Sequence, residues 1–185
     1  MPRLVRFCAF AAPALMLVYA LLRVVDGLDG DRHNGPAWDL GHLAFFVAIA
    51  LFAVLALALR ALDRPATARR VLVDAATAAV LAGAACFLWV ITGDLSAGFH
   101  EAAPLPAALE LIGPLLFQAG LLILLVRLVL AGRLPAWSPI VVLLGFAAIG
   151  INLDLLPLGS VLVLAALLPL ALGRSEGSLT RTAGQ

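Results

Sequence analysis

Residues 139–172 read PIVVLLGFAAIGINLDLLPLGSVLVLAALLPLAL. A hydrocarbon core is about 30 Å thick, so one helical crossing takes roughly 20 apolar residues. These 34 residues are too many for one crossing and few for two. The interruption NLDLLPLGS at residues 152–160 brings Asn, Asp, Pro, Gly and Ser together, which is turn chemistry. A hairpin of two short spans, residues 139–152 and 157–172, is therefore expected, with five spans in all as the alternative.

Four further apolar segments precede this hairpin, at residues 4–25, 40–62, 71–92 and 107–130. The whole chain is 64% hydrophobic and 12% charged, with a mean hydropathy of +1.11, far outside the soluble range. Its 185 residues hold five or six spans and short loops but no separate soluble domain. The expected architecture is an all-α integral membrane protein, a six-span helical bundle forming one domain over residues 1–173. Residues 174–185 make a short tail. The first segment carries Arg3 and Arg6 ahead of its apolar run, as a signal peptide would. Its apolar part is too long for an ordinary signal core, so it is read as a retained span.

Arginine sets the orientation. With six spans and both termini in the cytoplasm, ten arginines fall inside (Arg3, Arg6, Arg60, Arg64, Arg69, Arg70, Arg127, Arg133, Arg174, Arg181) and two outside (Arg23, Arg32). Acids run the other way: Asp26, Asp29, Asp31, Asp39, Asp94, Glu101, Glu110 and Asp154 fall outside. A five-span chain would export Arg174 and Arg181, so six is preferred. All twelve basic residues are arginine, which resembles the coding bias of a GC-rich genome and points to a bacterial plasma membrane. Without lysine, no side-chain Schiff base can form.

A faint repeat runs through the hairpins. An Asp follows each odd span, as Asp29 in GLDGD, Asp94 in TGDL and Asp154 in NLDL. Spans two and four open with similar strings, GHLAFF from Gly41 and GPLLFQ from Gly113. Three diverged helical hairpins fit this pattern. The third span is rich in small residues (AATAAVLAGAA), which permits close helix packing.

Candidate chemistry gathers at the acidic end. His42 lies eighteen residues from Arg60, roughly 27 Å along a helix, just within the outer boundary. Asp39, His42 and Phe46 share one face of span two, and Glu110, Pro114 and Gln118 one face of span four. If these faces turn inward with Asn152 and Asp154, they build a carboxylate and imidazole pocket open to the outside. Asp154, Glu110, Asp39 and His42 are then the candidate catalytic groups. Trp89, Phe46, Phe117, Gln118 and Asn152 are the candidate ligand-binding groups. The plainer alternatives are an N-cap for Asp39 and a favourable dipole position for Glu110. Asp154, in a span-like stretch, and His42, inside the boundary, are the residues hardest to explain without a partner or a function.

Metal, cofactor and nucleic-acid readings find little purchase. The loop with Asp26, Asp29 and Asp31 lacks the EF-hand spacing, and no zinc spacing joins His33, His42 and His100. No metal site is assigned, and no cofactor follows from the residues. Only His42 has the depth of a haem ligand. Scattered arginines give no nucleic-acid surface. Cys8 and Cys86 fall at different depths, which disfavours a disulfide. The expected partners are the lipid bilayer and either a small amphipathic ligand or a membrane protein. Two function classes follow. One is a transport or accessory protein binding a cation or small amphipathic ligand at the outer pocket. The other is an integral-membrane enzyme using buried carboxylic acids on a prenyl or lipid substrate, in the manner of a membrane terpene cyclase or a metal-assisted hydrolase.

Overall fold

A computed structural model describes residues 1–28, 35–62 and 67–173. The described residues are helical throughout, with short connections. The elements are α1 (Arg3–Asp26), α2 (Gly35–Leu62), α3 (Thr67–Leu95), α4 (Ala97–Ala102), α5 (Ala107–Leu130), α6 (Trp137–Ile151), a 3-10 turn (Leu153–Leu155) and α7 (Leu156–Leu172). Hydrocarbon offers the backbone no water, so an apolar chain there must satisfy its amides within helices. Five helical stretches are long and apolar enough to cross a membrane, and α6 is a shorter apolar helix. No more than 39% of any such stretch is buried. Phe7, Phe10, Leu21, Leu43, Leu115, Ile140 and Leu158 all point outward more than half exposed. An apolar exterior of this kind faces lipid, and the molecule is a multi-pass helical membrane bundle.

The hairpin expected at residues 139–172 forms. α6 ends where Asn152 turns extended (φ −152°, ψ 124°). The Asn152 side chain then accepts a hydrogen bond from Asp154 N at 2.9 Å, starting the 3-10 turn. Pro157 sits in the first turn of α7, where its missing N–H costs nothing. Gly173 closes α7 at φ +71°, a left-handed position that glycine occupies without strain. Pro13 lies buried within an α1 that continues past it.

Apart from the short α4, the helices pack as a closed ring in the order α1, α2, α3, α5, α6, α7, with α7 returning to α1 and α2 touching α5 across the middle. α1 with α2, α3 with α5, and α6 with α7 are close-packed antiparallel pairs, the three hairpins of the faint repeat. The repeat has matching roles in the packing. A Cβ on Gly41 would press on Tyr19 of its hairpin partner, and one on Gly113 would reach Cys86 Cβ at 2.5 Å. Four residues on from each, Phe45 and Phe117 both turn to the ring's centre.

That centre is aromatic. Phe52, Phe117, Phe146 and Phe87 meet edge to face at centroid distances of 5.5–6.4 Å. With Met16, Phe45, Ile49, Ile149 and Leu156, three of these rings (Phe87, Phe117, Phe146) enclose an apolar cavity of about 60 Å³.

The start of α1 and the end of α7 lie at one end of the ring. Arg6, in the second turn of α1, donates from Nε to Ala171 O at 2.9 Å, closing the last turn of α7. Arg133 reaches Leu62 O at 3.5 Å, and Arg60 pairs with Asp74 at 2.6 Å, all at this same end. Cys8 and Cys86 are free thiols.

Candidate functional site

At the opposite end, α2 carries His42 inward. Its side chain is only 2% exposed. His42 Nδ1 lies 2.9 Å from Trp38 O, one turn earlier on the same helix. Nε2 faces Asp94 Oδ2 at 3.6 Å, an ion-pair contact from the last turn of α3. Trp38 lies against the imidazole at a centroid distance of 3.8 Å, its ring tilted by 43°, and donates Nε1–H to Asp94 O at 3.2 Å. The edge of Tyr19 on α1 closes the other side at 5.1 Å, and Tyr19 itself lies flat on Phe45 at 4.6 Å. Three helices therefore converge on one imidazole.

The Tyr19 hydroxyl leads outward from this cluster to the Arg23 guanidinium, one turn along α1. Asp94 and Asp26 also act on that hydroxyl. Arg23 in turn lines a cleft between α1 and α7 of about 290 Å³. Among the described residues its other walls are Ala20, Val24, Gly27, Leu28, Leu153, Asp154 and Pro157. Among the described residues, one cation and one carboxylate thus stand over an otherwise apolar floor.

The residues singled out in the sequence do not share one pocket. Asp154 stands at the rim of the α1–α7 cleft, and the turn that carries it is exposed instead of tucked inside the protein. Asn152 is the cap of that turn. Glu110 is exposed at the start of α5 and shares a shallow recess of about 40 Å³ with His100, Asp94 and Trp89. Trp89 is 43% exposed and anchors α3 by donating to Ala103 O at 2.8 Å. Asp39 is exposed and turns away from His42, while Phe46 is half-buried. α2 begins at Gly35, so Asp39 sits inside its second turn and is not its N-cap. Three residues along a helix leave two side chains about 60° apart. The face that gives His42 to α1 and α3 therefore leaves Asp39 in water. Gln118 is half-buried, and Phe117 belongs to the central aromatic cluster.

Tyr19, Arg23 and Asp94 were not among the candidates. Two of them had a signal: Tyr19 is the single tyrosine, and Arg23 is one of two arginines on the acidic side. Asp94 was visible as one of the outer acids and as a member of the repeat. Among the described residues no three His, Cys, Asp or Glu side chains converge as a metal site would need. Asp29, Asp31 and His33 lie outside the described residues. Comparison with protein-family models, curated proteins and solved structures gives no match to this chain.

Proposed function

We propose that this chain is a bacterial plasma-membrane protein of the binding or accessory kind, holding a small amphipathic ligand at the outward end of its bundle. The α1–α7 cleft carries the reading. A zwitterionic headgroup would set its anionic part on Arg23 and its cationic part toward Asp154. Its chain would follow Val24, Leu153 and Pro157 into the lipid-facing groove. The arginine bias supports an outward cleft, since the basic end belongs in the cytoplasm. Acid–base work on a prenyl or lipid substrate is less well supported, because Asp154, Glu110, Asp39 and His42 stand apart instead of flanking one cavity.

The test is saturation binding of a fluorescent lysophosphatidylcholine to the protein in phosphatidylglycerol nanodiscs. Each charge-assisted contact contributes about 1.5–3 kcal/mol, so Arg23→Ala and Asp154→Asn should each weaken binding by roughly tenfold or more. Wild-type affinity in both variants would reject the cleft as the binding site.

A further inference from the structure

We infer that His42 and Asp94 form a proton-binding site whose charge is coupled, through Tyr19 and Arg23, to occupancy of the α1–α7 cleft. The inference rests on the binding role proposed for that cleft.

It begins with hydrogen-bond chemistry. A carbonyl oxygen only accepts, so the 2.9 Å contact with Trp38 O places a hydrogen on His42 Nδ1. A neutral imidazole of that tautomer points a lone pair from Nε2. The group it faces is the Asp94 carboxylate, 3.6 Å away. A lone pair against a carboxylate repels. The contact is attractive only when the pair holds one more proton, on Nε2 or on Asp94. The proton belongs to the pair, and its loss changes the pair's charge from zero to minus one. The His42 side chain is 3% exposed and that of Asp94 37%, so water screens the change from the Asp94 side only.

The other charged groups around the pair define where the change is felt. From α1 come Arg23 and Asp26, both acting at the Tyr19 hydroxyl. From α2 comes Asp39, exposed one turn earlier. From α4 and α5, His100 and Glu110 share the shallow recess with Asp94. Among these, Arg23 is the group that also lines the α1–α7 cleft, opposite Asp154 on the turn before α7. Tyr19 touches both sides of the link, with its ring edge on His42 and its hydroxyl beside Arg23.

The sign follows. When the pair loses its proton, the new negative charge draws the Arg23 guanidinium inward and opposes an anionic group in the cleft. When the pair is protonated, Arg23 serves the ligand. Binding of an amphiphile through its anionic part therefore tightens as pH falls, and by linkage binding takes up protons.

The experiment uses the same lysophosphatidylcholine probe and nanodiscs. Affinity is measured between about pH 5 and about pH 8, a span that brackets histidine titration. Calorimetry in two buffers of different ionisation enthalpy reads proton uptake. Wild type should bind about fivefold or more tightly at the acid end, the usual scale of such coupling, with net proton uptake. His42→Asn and Asp94→Asn should still bind the probe but with a flat pH profile and no uptake. Tyr19→Phe preserves the ring contacts and removes only the hydroxyl, and it should flatten the profile in the same way. His100→Gln should keep the wild-type slope. A pH slope that survives in His42→Asn and Asp94→Asn would overturn the coupling while leaving the cleft standing. Wild-type affinity in both Arg23→Ala and Asp154→Asn would instead remove the cleft.

Discussion

Replacing Gly83 with leucine is expected to abolish recovery of folded, monodisperse protein. Gly83 lies where α3 and α5 cross, and the two nearest atoms are backbone. A Cβ built there would meet Gly113 O, and would approach Phe117 N at 2.6 Å and Phe117 Cβ at 2.7 Å. Backbone of a packed helix has nowhere to retreat. Two turns along the seam, a Cβ on Gly120 would meet Ala76 O just as closely and Val80 N at 2.9 Å, so the helices cannot separate at one point without losing the other. In lipid, water does not drive helices together, and close van der Waals contact between small residues supplies much of the association. Overpacking such a seam costs about 1–3 kcal/mol for added methylenes, and more when backbone blocks relaxation. Ala82→Leu, one residue away on the exposed face of α3, should leave the midpoint of detergent-induced unfolding unchanged. Equal behaviour of the two variants would mean that α3 and α5 do not cross this closely.

The second large effect is at Phe117. It was a candidate ligand wall in the sequence, but its ring is 1% exposed and meets Phe52, Phe87 and Phe146 edge to face. It also borders the apolar cavity, so truncation would enlarge a void that already exists. Phe117→Ala is expected to destabilise the bundle by about 3–5 kcal/mol, the range for a buried Phe left as a cavity. Leu115→Ala, on a lipid-facing position of the same helix, should cost little. Urea does not reach such a core, so the readout is unfolding in mixed micelles of rising SDS content. Loss of amphiphile binding without loss of stability would return Phe117 to the binding surface.

How far the sequence reaches depends on which force places each residue. Span positions are dictated by hydrocarbon thickness, and the expected segments fall within a few residues of the helices. The 139–172 hairpin was legible because Asn152, Asp154, Pro157 and Gly159 interrupt an otherwise unbroken apolar run. The small-residue stretch of α3 was legible as a packing face, and Gly83 and Ala76 occupy the crossing with α5. Rotation of a helix about its axis was not legible. Asp39 and His42 lie 60° apart, and which of the two turns inward is decided by Tyr19 and Asp94 on other helices. In lipid the apolar face of a span surrounds it almost completely, so hydropathy cannot tell the ring interior from the bilayer. That is why Phe117 read as a ligand wall and why the acids were expected in one pocket. The Arg23–Asp154 cleft needs α1 beside α7, the two ends of the chain, and no local pattern reports such a contact.

The account depends on an even number of crossings, with the His42 and cleft end outside and the Arg6–Ala171 end inside. Single cysteines at Asp154 and at Gly173, in a background with Cys8 and Cys86 replaced, test it in intact cells with a membrane-impermeant maleimide. Labelling of Asp154→Cys from outside, with Gly173→Cys labelled only after the membrane is opened, is the predicted result. Labelling of Gly173→Cys in sealed cells would put the Arg6–Ala171 end outside and contradict the sidedness on which the outward cleft rests.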